Sequence, residues 1–196
     1  MTRTNTFDVK AWLDVHFEGA LPLEPENLEP ILYFSLIWNL FEAKTCNRYA
    51  RPESIRQSTD RACERGLLHL DKYQPFLDFF RSRYVKEGVI ADSVFTRLEL
   101  RNQEGEQAIR DALLENSHDL NNLVYALLLI AWRVRNNLFH GNKGLKALPR
   151  QLDLFHTINH LLATYLDDIL KPLPDDSHSQ RLRHSARIGR GHEHRQ

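Results

Sequence analysis

The chain has 196 residues, of which 42% are hydrophobic and 27% charged, and its basic and acidic residues balance at 26 each. This composition is typical of a globular domain, and it excludes a protein that coats nucleic acid through its overall charge. The longest apolar run, residues 123–132, is about half the roughly 18 residues of a membrane span, and the first twelve residues lack a secretion signal's apolar core, so a cytoplasmic protein without membrane contacts is expected.

The charge is unevenly distributed between the body of the chain and its C-terminal end. Residues 177–196 contain five arginines, four histidines and one glutamate, which leaves 21 basic and 25 acidic residues in 1–176. Because residues 175–196 also lack an apolar period, they are predicted to form a disordered basic tail after a domain that spans 1–174. A mildly acidic body would contact RNA or DNA only at a local site.

Glycine, proline and alternating β-branched residues are scarce, so helices are predicted almost throughout. A first helix over residues 7–17 is followed by a Pro-rich connector and by a second helix with Pro30 in its first turn. Residues 52–65 are predicted to form a short third helix that ends at Gly66. The second helix has a wide apolar stripe made of Ile31, Leu32, Phe34, Leu36, Ile37, Leu40 and Phe41.

The second half of the chain contains the most apolar predicted helix. Residues 116–119, NSHD, supply a turn and an N-cap for it, and Gly141 is placed to end it. The whole pattern predicts an all-α, single-domain helical bundle of about five to seven helices. The helices predicted in this half cover residues 75–100 in two parts broken near Gly88, 103–115, 120–140 and 150–170.

The most apolar helix ends in a polar segment, residues 133–143, with the sequence RVRNNLFHGNK. In a regular helix Asn136 and His140 lie one turn apart on one face, with Arg133 close to that face. Arg135 lies about 140° around the helix from His140. A solvated helix end is the simplest interpretation, because a cation there gains only about 0.3–1 kcal/mol from the helix dipole.

Two features of this segment favour a functional interpretation. Two consecutive asparagines inside a helix have a lower helix propensity than Lys or Glu would have at the same positions. The segment also combines a proton donor and acceptor, a permanent cation and amide groups within six residues. Those are the groups that phosphodiester cleavage without a metal requires.

The string from Arg135 to His140, RNNLFH, resembles the R-x4-H motif of the HEPN superfamily, and RNNLFHG is similar to the RNxxxHG helix end of many prokaryotic members. Arg133 also fits a longer R-x6-H variant, so the arginine is not uniquely assigned; Arg135 is preferred because Asn136 follows it directly. The resemblance covers the short motif and the helical character of the chain.

The resemblance implies a helical bundle that forms a homodimer and brings two motifs together in a cleft. Many members with an intact motif are metal-independent endoribonucleases without cofactors, found in toxin–antitoxin and antiviral defence systems, so RNA and an antitoxin or defence-system partner are expected. His140 would be the general acid or base, with an unperturbed pKa of roughly 6.5. Arg135 would stabilise the phosphate charge, and Asn136 would orient the imidazole or bind phosphate.

Weaker candidates for substrate binding surround this motif. Glu42 and Lys44 lie at the polar end of the second helix, beside Asn39, where a solvent-facing ion pair is the alternative interpretation. In the motif segment itself the weaker candidates are Arg133, Asn137 and Lys143.

Metal and disulfide chemistry are not expected. His156 and His160 share a helix face, but no third metal ligand is evident near them. Cys46 and Cys63 lack CxxC spacing, and two cysteines are too few for a disulfide framework. Two other functional hypotheses stay open. One is a non-catalytic HEPN-like module that binds RNA, a nucleotide or a partner protein, and the other is an unrelated all-α interaction protein in which the motif is accidental.

Overall fold

The computed structural model describes residues 7–16, 25–100, 103–139 and 151–170. These residues are mostly helical, which confirms the all-α prediction. The helices are α1 (Val9–His16), α2 (Pro25–Thr45), α3 (Pro52–Glu64), α4 (Leu70–Tyr84), α5 (Asp92–Phe95), α6 (Gln103–Leu113), α7 (Leu120–Phe139) and α8 (Leu152–Leu170). A small sheet of β1 (Val85–Lys86) and β2 (Val89–Ile90) follows α4, and a 3-10 turn, Thr96–Leu98, follows α5.

Helix α7 forms the centre of the core. Every residue from 123 to 131 is buried, because a run that is apolar on all sides has no face to offer to water. Helices α3 and α6 pack against it, and α6 approaches closely where Gly105 meets Leu129, whose Cδ1 lies 3.4 Å from the place that a Cβ would take. The central helix is therefore fixed from several sides, and so is the position of its C-terminal end.

Helices α2 and α8 form the other extensive helix–helix contact. Phe34 packs on Phe155 with ring centroids 5.6 Å apart. Pro30 does not lie in the first turn as predicted, because α2 begins five residues earlier at Pro25. The carbonyl of Pro30 accepts a hydrogen bond from Asn159 Nδ2 of α8 at 2.8 Å, so packing on α8 helps to stabilise the helix around its proline.

The predicted break near Gly88 is confirmed, but it is a β-hairpin rather than a simple interruption. Strands β1 and β2 pair antiparallel, with Val85 opposite Ile90. Glu87 and Gly88 both adopt positive φ, 52° and 77°, as the two central residues of a tight hairpin turn do. The helix before the hairpin begins at Leu70, so the predicted start at residue 75 is wrong.

Two of the three residues predicted to begin or end helices α3 and α7 lie among the described residues. Gly66 follows α3 with φ +65°, as expected for the residue that ends a helix. Asp119 caps α7, since its carboxylate oxygens accept the backbone N–H groups of Asn121 and Asn122 at 3.3 Å. Gly141 and the predicted tail lie outside the described residues. None of the described helices combines the length and the apolar character that a membrane crossing requires.

Candidate functional site at the end of α7

Arg135 and Asn136 lie in the last turns of α7, and both are half-buried. Arg135 Nη1 donates to Asn136 Oδ1 at 3.2 Å, and the guanidinium carbon lies 5.3 Å from the centre of the Phe139 ring. The Nε of Arg135 is buried and has no hydrogen-bond partner among the described residues. This side chain is thus a positioned, half-buried cation, and Phe139 beside it is 55% exposed.

The remaining predicted residues of the motif segment, His140, Gly141, Asn142 and Lys143, lie outside the described residues. His140 follows Phe139, the last residue of α7, directly in the chain. The structure therefore places the arginine and the asparagine of the predicted catalytic set, and the histidine is assigned from the sequence.

Arg133 and Asn137 point into the protein, one turn apart on α7. Arg133 is only 6% exposed, and its Nε donates to the carbonyl of Leu98 at 2.8 Å while Nη2 donates to the carbonyl of Glu99. Asn137 Nδ2 donates to the same Leu98 carbonyl at 3.2 Å, and its Oδ1 accepts from Arg133 Nη2 at 3.4 Å. Both weaker substrate-binding candidates are thus engaged in holding the 3-10 turn against α7.

Glu42 closes the loop that follows α2. Its Oε1 accepts the backbone N–H of Ala50 at 3.1 Å, and its own carbonyl accepts the N–H of Arg48 at 2.9 Å. Lys44, in the last turn of α2, is exposed. Among the described residues Glu42 forms no ion pair and no hydrogen bond with the motif, and its hydrogen bonds hold the backbone of this loop.

Trp132 connects this loop to the motif helix. Its Nε1 donates to the carbonyl of Ala50 at 2.9 Å, and Trp132 lies one turn before Arg135 and Asn136. The loop that follows α2 is therefore held beside the last turns of α7, through a contact that the sequence did not predict. The available signal was the indole N–H, which needs a partner when a tryptophan packs inside a protein.

The histidines of α8 and the cysteines do not form a metal site. His156 and His160 are exposed, and the His160 ring meets Phe76 edge-on with centroids 5.0 Å apart. Within the described ranges, no group of three or more His, Cys, Asp or Glu side chains is arranged to hold a metal ion. Cys46 is buried, and burial raises the pKa of its thiol, whereas Cys63 is exposed.

The chain matches no protein-family model, no curated protein and no solved structure. The resemblance to HEPN proteins therefore rests on the motif residues and on the helical architecture.

Proposed function

We propose that the protein is a metal-independent endoribonuclease of HEPN type. The observation that supports this proposal best is the state of Arg135, a half-buried cation that is held beside Asn136 and whose Nε has no hydrogen-bond partner among the described residues. A positioned guanidinium suits a phosphate, because its fork of N–H groups matches two phosphate oxygens. His140, five residues further along the chain, supplies a group that exchanges protons near neutral pH.

In this mechanism RNA provides its own nucleophile. His140 removes the proton of a ribose 2′-OH, the 2′ oxygen attacks the adjacent phosphorus, and the bond from phosphorus to the 5′ oxygen breaks. A second histidine donates a proton to the leaving 5′ oxygen. Arg135 stabilises the negative charge that builds up on the non-bridging oxygens. The products are a 2′,3′-cyclic phosphate and a 5′-OH.

The second histidine would come from a second copy of the chain, and helix α2 offers a surface for it. One face of α2 exposes large apolar side chains, and residues 30–41 of this helix carry no charge, although its opposite face already packs on α8. Exposed apolar surface of this kind is typical of interaction sites. Because the loop that follows α2 contacts α7 at Trp132, a two-fold axis along α2 would bring both motifs to the same end of the dimer. The exposed residues are Leu28 (37%), Leu32 (57%), Tyr33 (48%), Leu36 (60%) and Leu40 (43%).

The cleavage test uses fluorescein-labelled single-stranded RNA in buffer with EDTA. We expect fragments that end in cyclic phosphate, and a loss of at least about a hundredfold in rate for His140→Ala and for Arg135→Met. The matched controls His156→Ala and Arg65→Met remove an exposed side chain of the same type from α8 and from the residue after α3, and should keep the wild-type rate. Absence of cleavage, or cleavage that survives both motif substitutions, contradicts the proposal; RNA binding without cleavage would support the non-catalytic module instead.

The dimer test is sedimentation velocity on the full chain. Leu36→Glu places a charge in the middle of the exposed face, so we expect a folded monomer that no longer cleaves RNA. Leu70→Glu alters an exposed leucine on α4, which is 47% accessible, and should leave both the dimer and the cleavage intact. A wild-type protein that is monomeric at micromolar concentration would refute this part of the proposal.

A further inference from the structure

The loop between α2 and α3 presents an aromatic side chain between two cations. Arg48, Tyr49 and Arg51 are all exposed, and Tyr49 is 72% accessible, so its ring contributes little to the core. Asn47 and Arg48 adopt positive φ, 48° and 73°, which turns the chain sharply. We name residues 47–51 the Arg–Tyr loop.

The backbone of the Arg–Tyr loop is anchored on both sides of the exposed ring. Ala50 donates to Glu42 and accepts from Trp132, at 3.1 and 2.9 Å. Ser54 Oγ donates to the carbonyl of Tyr49 and accepts the N–H of Arg51, each at 2.9 Å. The exposed side chains therefore project from an anchored backbone, which lowers the cost in conformational entropy of binding a ligand.

The loop lies beside the motif and has a local excess of positive charge. Its anchor Trp132 is one helical turn, about 5 Å along the axis, from Arg135. Residues 44–51 contain three cations and no acid, and α7 contains no acidic residue. The neighbouring acids are Glu42, which is half-buried and bonded to the loop backbone, and Glu53, which is exposed in the first turn of α3. The corner is cationic on a body that is acidic overall.

We propose that the Arg–Tyr loop binds single-stranded RNA next to the motif, with Tyr49 stacked on a base and Arg48 and Arg51 paired with phosphates. Aromatic rings and arginines in alternation suit unpaired RNA, since every base offers a face for stacking and every nucleotide a charge. A duplex does not expose its base faces, so a tyrosine would contribute little to binding it. RNA binding by the loop does not require the proposed nuclease activity; only cleavage of the bound RNA beside the loop rests on that proposed function.

The test measures binding without cleavage, by fluorescence anisotropy of a labelled single-stranded 2′-O-methyl RNA that has no 2′-OH to attack. We expect Tyr49→Ala to weaken binding at least about fivefold and Tyr49→Phe to stay within about twofold, because phenylalanine keeps the stacking face. Arg48→Gln and Arg51→Gln should each lower the slope of log affinity against log salt by about 0.7. The control Arg65→Gln removes an exposed arginine about 20 Å away along α3 and should leave the slope unchanged.

Three results would overturn the proposal: no binding by the wild-type chain, equal affinities for Tyr49→Ala and Tyr49→Phe, or salt slopes that neither arginine substitution changes. Unfolding curves equal to wild type verify that the variants fold. The outcome is separable from the proposed function. A wild-type chain that binds this oligonucleotide through the loop but never cuts natural RNA supports the loop and refutes the nuclease. Cleavage with loop variants that bind normally does the reverse.

Discussion

Replacing Arg133 with methionine should destabilise the protein, whereas the same change at Arg135 should leave it stable. Arg133 is buried and donates to the carbonyls of Leu98 and Glu99, while Arg135 bonds only to its neighbour Asn136 among the contacts that the structure describes. Methionine has a similar length and no donor, so each substitution removes the charge and the hydrogen bonds without leaving a large cavity.

The expected loss at Arg133 follows from its bonds. A hydrogen bond from a charged donor contributes about 1.5–3 kcal/mol, and the buried carbonyl of Leu98 and the partly buried carbonyl of Glu99 would lose such a donor. The desolvation cost of the buried cation is removed at the same time, so we expect a net loss of about 3 kcal/mol. Glu99 adds to the effect, because its φ of +50° is unfavourable for a residue with a side chain and is held in place by Arg133.

For Arg135 the expected loss is below about 1 kcal/mol, since one hydrogen bond of 3.2 Å and a ring contact on a half-exposed side chain disappear. Urea unfolding followed by circular dichroism measures both variants. With an m value of about 2 kcal/mol per molar, the midpoint should fall by about 1.5 M for Arg133→Met and by less than about 0.5 M for Arg135→Met. Equal shifts, or a larger shift at Arg135, would contradict the assignment of one arginine to the core and the other to the site.

Two further predictions concern buried polar groups. Burial raises the pKa of Tyr165 to about 12, against about 10 in the unfolded chain, so this tyrosine keeps its proton longer when folded. This tyrosine should therefore lower the free energy of unfolding by about 2 kcal/mol between pH 10 and 12, and urea titrations should show a smaller fall for Tyr165→Phe but not for the exposed Tyr49→Phe. Asp168, 3% exposed, accepts a hydrogen bond from Tyr73 at 2.9 Å and pairs with a lysine. Asp168→Asn should lower the stability by about 2 kcal/mol in thermal unfolding, with the exposed neighbour Asp167→Asn unchanged.

The helices could be predicted from the sequence where an apolar period or a capping residue marks them. The end of α3 at Gly66 and the start of α7 after Asp119 are such places. The prolines mislead the prediction, because Pro30 is expected in the first turn of its helix and Pro75 at the start, whereas each lies at the sixth position of its helix. There a proline removes a single early intrahelical hydrogen bond, a loss that tertiary packing can offset. The hairpin after α4 was missed because strands of two residues have no period to detect.

The position of the candidate site could be predicted from the sequence, but the separate roles of its two arginines could not. Arg133 and His140 fit the R-x6-H form of the motif, and Arg135 and His140 fit the R-x4-H form. The sequence alone does not show which arginine points into the core. That choice depends on the 3-10 turn, whose carbonyls lie more than thirty residues away in the chain. The Trp132 contact with Ala50 is likewise long-range, so its partner could not be read from local pattern.

The geometry of α7 explains how two arginines two residues apart can do different work. At 100° per residue, Arg133 and Arg135 project about 200° apart, so they point to nearly opposite sides of the helix. Arg133 shares its side with Asn137, one turn on, and together they bind the 3-10 turn. Arg135 projects about 60° around the helix from Trp132, whose indole N–H holds the Arg–Tyr loop and whose ring centre also lies 5.3 Å from the Arg133 guanidinium carbon. Arg133 and Asn137 thus fix the helix end to the core, whereas Arg135 projects near the side from which Trp132 contacts the Arg–Tyr loop. If RNA binds as proposed, we expect an RNA that contacts Arg135 to reach that loop as well, so loss of Arg135 and loss of the loop should affect the same RNA.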